Sequence, residues 1–187
     1  MTFADKDQAR SASIAGRRAM NSENRRDAEL ALSAHDWSQI IGFGPATCYV
    51  SMGDEPGTAE LRAHLGALRI EVFVPVMQPD RRLLWGRDND DMTLNAFGIF
   101  EPEPEDVDLA NFSALIIPGL RMGRDGTRLG RGAGYYDRVL NSLPRMNAGG
   151  PIRVGIVFDD ELDDTVPHEA HDSALDVVVT PSSVYWI

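Results

Sequence analysis

Two rhythms of apolar and polar positions alternate along this chain. Residues 5–20 and 22–34 predict two polar helices, the second opened by Ser22 as N-cap. In TAELRAHLGALR (58–69), Leu61, Leu65 and Leu68 recur at helical spacing behind Thr58 as cap. YYDRVLNSL (135–143) predicts another helix, directly after a glycine-rich stretch. Between these lie short apolar runs that predict strands: ATCYVSM (46–52), IEVFVPV (70–76), RRLLWG (81–86), SALIIPG (113–119), IRVGIVF (152–158) and LDVVVT (175–180). The last two lack polar alternation, as strands buried on both faces do. Strands alternating with helices predict an α/β domain with a mainly parallel sheet. Ligands in such folds sit beyond the carboxyl ends of the strands, and the glycine-rich stretch follows strand 113–119 at such an end. The acidic, proline-containing segment from Arg87 to Asp108 predicts loop.

Composition narrows the class. A chain of 187 residues is long enough for one domain with a real core. Its net charge of −11 argues against holding nucleic acid by general electrostatics. The apolar runs are too short to span a bilayer, and the charged N-terminus lacks the apolar region of a secretory signal. Cys48 is the only cysteine, which excludes an intrachain disulfide and a cysteine zinc site. A cytoplasmic monomer is the expectation, without membrane or nucleic-acid partners. The basic residues are seventeen arginines and one lysine, Lys6. Arg121, Arg124, Arg128 and Arg131 fall in one glycine-rich stretch, a local reversal of charge that suits bidentate phosphate contact.

Within that stretch, residues 128–138 read RLGRGAGYYDR. Glycines occupy positions 119, 123, 126, 130, 132 and 134. This is neither a Walker A loop, which ends in Gly-Lys-Ser/Thr, nor the dinucleotide fingerprint, because the third glycine comes one residue early. The physics is shared all the same: glycines let backbone N–H groups close on an anion, and the following helix adds its positive end. A plain surface turn is the alternative. Asp137 bears on the choice, because a carboxylate beside a phosphate calls for a bridging Mg²⁺. Tyr135 and Tyr136 supply aromatic faces for a flat heterocycle.

RLGRGAGYYDR resembles the signature of the 5-formyltetrahydrofolate cyclo-ligase family, also called methenyltetrahydrofolate synthetases. Lys6-x-x-x-Arg10, SMGDE (51–55), FGIFEP (97–102), IIPGL (116–120) and PHEAHDSALDVVVT (167–180) resemble the family in the same order along the chain. The resemblance implies a single three-layer Rossmann-like domain over residues 1–187. It implies conversion of 5-formyltetrahydrofolate and ATP to 5,10-methenyltetrahydrofolate, ADP and phosphate, with Mg²⁺. The formyl oxygen attacks the γ-phosphate, and N10 then attacks the activated carbon.

Carried over by position, Lys6, Arg10, Arg128, Leu129, Gly130, Arg131, Gly132, Ala133, Gly134, Tyr135 and Tyr136 bind ATP. Arg131 to Tyr135 also face the folate. Arg131 and Lys6 are the catalytic cations, and Asp137 and Asp172 hold Mg²⁺. Glu55 matches the pterin-binding glutamate; a carboxylate accepts paired hydrogen bonds from a 2-amino-pyrimidinone edge. Phe97, Val50 and Met52 are expected on the apolar wall of the folate pocket, though core packing competes for Val50 and Met52. Ala133 departs from the glycine or lysine frequent at that position, which leaves Arg131 and Lys6 to supply the charge. Pro181 replaces a frequent acidic residue after the last apolar strand.

Two further patterns carry less. The histidines of His168-Glu169-Ala170-His171 are three apart, whereas a zinc helix of the H-E-x-x-H kind needs four. The run Asp159-Asp160-Glu161 with Asp163-Asp164 lacks the calcium-loop glycine and reads as a solvated turn. A folate- or nucleotide-binding protein that has lost catalysis is the alternative to an enzyme.

Overall fold

A computed structural model describes residues 5–89, 91–95, 98–169 and 174–187. In chain order the elements are α1 (Lys6–Ala19), α2 (Ser22–Ser33), α3 (Trp37–Ile41), β1 (Ala46–Cys48), α4 (Ala59–Ala67), β2 (Val72–Met77) and β3 (Leu83–Arg87). There follow β4 (Thr93–Leu94), β5 (Phe100–Glu101), β6 (Ala114–Pro118), β7 (Arg121–Gly123), β8 (Arg128–Leu129), α5 (Tyr135–Ser142), β9 (Ile152–Ile156), β10 (Leu162–Asp163), β11 (Val177–Val179) and β12 (Val184–Trp186).

The central sheet has seven strands in the order β12-β11-β9-β6-β1-β2-β3. Its inner pairs are parallel, while β12 and β3 are antiparallel edges. Successive residues of a strand face opposite sides, and two cores result. Ile116, Val154, Val177 and Val179 meet Leu32, Trp37, Ile41, Leu61 and Leu65 from α2, α3 and α4. Leu115, Ile117 and Val178 meet Leu140 of α5 on the other face. Helix, sheet and helix form the three layers that the family resemblance implies. The described helices include none long and apolar enough to cross a membrane.

The helix caps lie slightly displaced from the positions that the sequence predicts. Asn21, not Ser22, caps α2: its side-chain oxygen accepts the Asn24 N–H at 2.7 Å. Thr58 stands at the N-cap of α4, yet its hydroxyl donates to the Tyr49 carbonyl at 2.7 Å. Glu29 of α2 takes over, accepting the Ala59 N–H at 3.1 Å. Gly57 gives it room, since a Cβ there would lie 2.6 Å from the Glu29 carboxyl carbon. The short α3 and edge strand β12 were not anticipated. Nor was the small sheet β10-β7-β8, which organises the glycine-rich stretch itself. The acidic segment carries a β4–β5 hairpin and a bridge from Glu105 to Trp85.

The solvated-turn reading holds for Asp159, Asp160 and Asp164, which are exposed, and is corrected at two positions. Glu161 and Asp163 are buried, paired with Arg17 and Arg121. Arg17 donates to both Glu161 oxygens at 2.6 and 2.8 Å, and to the Gly119 carbonyl at 2.6 Å. Buried Arg153 donates to the carbonyls of Leu140 and Leu143, closing the C-terminal end of α5. These cations fasten α1 and α5 around the start and the end of the glycine-rich stretch.

Candidate active site

The strand order decides where a site can form. From β1 the chain steps outward to β2, then returns to the other side of β1 with β6, β9 and β11. That reversal leaves a crevice between the carboxyl ends of β1 and β6, the usual ligand position in open α/β sheets. A cavity of about 240 Å³ lies there. Tyr49, Val50, Met52 and Glu55, which follow β1, form one wall. Pro75, Met77, Leu83, Ile99 and Glu101 form another, and Pro118, Gly119, Arg128 and residues 130–137 complete it.

The glycine-rich stretch is a scaffolded arch. The Leu120 N–H donates to the Leu129 carbonyl at 2.8 Å across the β7–β8 hairpin. The Leu129 side chain packs with Ala9 and Val166, outside the cavity walls, and anchors the arch to α1. Gly132 has φ +97° and Gly134 φ +75°, values that side-chain-bearing residues rarely adopt. Gly134 is the N-cap of α5 and brings no capping side chain, so the positive end of the helix is open to a ligand.

Opposite charges are interleaved throughout. Arg131 donates through Nε to Glu55 at 3.1 Å and also bonds Asp54. Partial burial works against its charge, but Asp54 and Glu55 outweigh that and raise its pKa above the ordinary arginine value. Glu55 accepts the Met52 N–H through its other oxygen at 3.0 Å. Arg128 is buried, bonded to Asp137 and, at 3.3 Å, to the Pro118 carbonyl. Arg10 of α1 reaches the Gly130 carbonyl at 3.1 Å, whereas Lys6, one turn earlier, pairs with Glu169 at 3.0 Å. Each arginine of the predicted basic patch thus has a carboxylate partner, Arg124 with Asp164 included.

Tyr136 contributes a different feature. Its ring meets Trp85 edge-on at 6.4 Å, and its hydroxyl oxygen is buried without a hydrogen-bond partner among the described residues. Burial, and then the Glu55 charge, push its pKa well above the ordinary tyrosine value, so it remains a donor. Tyr49, more fully buried, differs: its hydroxyl donates to the Pro56 carbonyl at 2.9 Å.

The structure therefore brings together Val50, Met52, Glu55, Arg128, Gly130 to Tyr136 and Asp137 around one cavity. Arg10 contacts the arch from behind, and Lys6 lies beyond it on the same helix. Phe97 and Asp172 fall outside the described residues. Among the described residues no three His, Cys, Asp or Glu side chains gather as a metal cage. His168 turns its Nδ1 to the Val166 carbonyl at 2.9 Å, while His171 is outside the described residues. Sequence reasoning passed over Glu101, although FGIFEP contains it; a glutamate in an acidic segment gives no sign of burial. It also passed over Arg17, which holds the arch from below.

The chain resembles known proteins along its whole length. Residues 2–181 match the model of the 5-formyltetrahydrofolate cyclo-ligase family. A 5-formyltetrahydrofolate cyclo-ligase of Mycolicibacterium smegmatis is 33% identical, covering 97% of this chain and 96% of its own. The Escherichia coli protein of that name is 27% identical, covering 90% and 96%. The solved structure of Aquifex aeolicus 5,10-methenyltetrahydrofolate synthetase shares the fold with a TM-score of 0.80 at 23% identity, over 97% of this chain and 92% of that one. The corresponding Mycoplasma pneumoniae structure gives 0.70 at 18% identity, over 94% and 98%. With its parallel sheet, its arch over the crevice and a family match spanning nearly every residue, this chain belongs to the 5-formyltetrahydrofolate cyclo-ligase family.

Proposed function

We propose that this protein converts 5-formyltetrahydrofolate and ATP to 5,10-methenyltetrahydrofolate, ADP and phosphate, as its family membership implies. The observation that carries the reading is the arch at residues 128–137. It sets glycine backbone, two arginines and a helix N-terminus on one wall of a cavity whose facing groups suit a flat heterocycle. Phosphoryl transfer asks the protein for positioning and electrostatics more than for proton transfer.

Loop amides, Arg128 and Arg131 hold the ATP phosphates, with Arg10 and Lys6 supporting from α1. Glu55 takes the pterin edge, and Val50 and Met52 lie along the ring. On entry the pterin competes with Arg131 for Glu55, so binding the folate releases guanidinium donors toward the γ-phosphate. Tyr136 donates its unclaimed hydroxyl to the bound substrates. The formyl oxygen attacks the γ-phosphorus as the bond to the ADP oxygen breaks. N10 then attacks the activated carbon, the oxygen leaves with phosphate, and the N10 proton is lost.

Mg²⁺ fits the donors described. Asp137 is a hard oxygen ligand at the cavity edge, and one carboxylate completed by phosphate oxygens and water is a set this ion accepts. Arg128 occupies only one Asp137 oxygen. When bound, the ion neutralises phosphate charge. The test is methenyl-folate absorbance with ATP, Mg²⁺ and 5-formyltetrahydrofolate, for wild type and Asp137→Ala. The variant is expected to lose about 100-fold in turnover and to require more Mg²⁺. Normal Mg²⁺ dependence in the variant removes Asp137 from the metal site. Folded wild-type protein without ATP-dependent product rejects the enzyme reading.

A further inference from the structure

Glu101 is the least compensated charge in the cavity. Its residue is 8% exposed, among Pro75, Met77, Leu83 and Ile99 on an otherwise apolar wall. One carboxylate oxygen accepts the Met77 N–H at 2.8 Å. Among the described residues no cation pairs with it, in contrast to Glu55, which has Arg131 and the Met52 N–H. Burying a carboxylate with one neutral donor is costly, and proteins retain such a group where something else completes it.

The backbone around it is arranged for close approach. β5 is held against β2 through the Glu101–Met77 bond, and the next residues lie over β3 at Gly86. A Cβ at Gly86 would come 2.3 Å from the Glu103 carbonyl oxygen and 2.7 Å from Pro102, so only glycine admits this path. The Glu105 N–H then donates to the Trp85 carbonyl at 2.8 Å and secures the strand beyond. Glu101 is thus fixed at both ends in a wall, not carried on a loose loop.

The reaction proposed above creates a charge that matches. The formyl nitrogen of the substrate is an uncharged amide. When its oxygen bonds to phosphorus and ADP leaves, the nitrogen lone pair moves into a C=N bond and the centre becomes cationic. N10 adds to that carbon, the C–O bond breaks with both electrons going to phosphate, and the N10 proton departs. The methenyl product keeps one positive charge shared over N5, the bridging carbon and N10. Positive groups of the arch suit the phosphates but oppose this cation. A fixed anion on a mainly apolar cavity wall stabilises it most as the charge develops.

We propose that Glu101 is a further catalytic residue, whose carboxylate faces the folate and offsets the positive charge created on cyclisation. This rests on the cyclo-ligase reading. Glu101→Gln keeps the shape and an oxygen for the Met77 N–H while removing the charge; Glu101→Asp keeps the charge. Binding of 5-formyltetrahydrofolate and of 5,10-methenyltetrahydrofolate is measured separately for each, with turnover and thermal unfolding alongside. The expected result for Glu101→Gln is about 10- to 100-fold weaker binding of the cationic product and a parallel fall in kcat. Affinity for the uncharged formyl substrate and the melting temperature stay unchanged, and Glu101→Asp retains the preference for product. Equal weakening of both ligands, or no weakening of either, overturns the proposal. If wild type is active and Glu101→Gln matches it, this proposal fails alone; if wild type makes no methenyl product, the parent reading fails.

Discussion

Glu161 and Glu101 are both buried, at 3% and 8% exposure, and they differ in how much of each carboxylate the protein uses. Glu161 receives two bonds from Arg17 and a third, at 3.0 Å, from the Phe158 N–H. Nothing remains for a ligand, and the pair works as a bolt beneath Gly119. Glu101 receives one neutral N–H. The same division separates Tyr49, whose hydroxyl is satisfied by Pro56, from Tyr136, whose hydroxyl is not. The Glu161 carboxylate behind the arch and the Tyr49 hydroxyl on the cavity wall are completed from within the fold. Glu101 and Tyr136 keep hydrogen-bonding capacity open toward the cavity, at a stability cost that substrates relieve.

Breaking the bolt should have the largest effect. Burial pushes the Glu161 carboxyl up while Arg17 opposes that, so the pair depends on both members. Glu161→Ala is expected to cost about 3–5 kcal/mol, because it strands the buried Arg17 guanidinium. Denaturant unfolding checks this. Replacing both Arg17 and Glu161 by apolar residues of similar volume should recover much of the loss; no recovery would mean that Arg17 matters mainly through Gly119.

Tyr136→Phe sharpens the contrast in the opposite direction. Removing an unsatisfied buried hydroxyl while keeping the ring against Trp85 should raise unfolding stability by about 1 kcal/mol. The same variant should show a smaller rise in melting temperature on adding ATP and folate together. A loss of stability without change in ligand response would place the hydroxyl on the scaffold side. The smallest effect concerns Cys48, a buried thiol on the scaffold face of β1. Burial pushes its pKa up to about 12, so it stays protonated across the usual working range. Native protein at pH 8 should resist thiol alkylation, with full reaction only after unfolding; rapid native labelling would show that β1 opens.

Much of this division was invisible in the chain. The apolar runs 152–158 and 175–180 announced parallel strands because burial on both faces leaves no polar alternation. RLGRGAGYYDR announced an anion loop because glycine spacing and local charge are themselves sequence properties. The arginine excess misled, since a formal count cannot reveal that Arg131 meets Asp54 and Glu55 across 76 or more positions. The run from Asp159 to Asp164 looked like solvated surface because Arg17 and Arg121 lie far away in sequence. Glu101 was passed over for the same reason: its meaning is what surrounds it, and what does not.

The most direct measurement follows one turnover of wild-type protein, with 5-formyltetrahydrofolate, Mg²⁺ and limiting ATP. One methenyl-folate and one phosphate are expected for each ATP consumed, and no product without ATP. Tight folate binding with no ATP consumption would contradict it, and would make this chain a binding protein on an enzyme's fold.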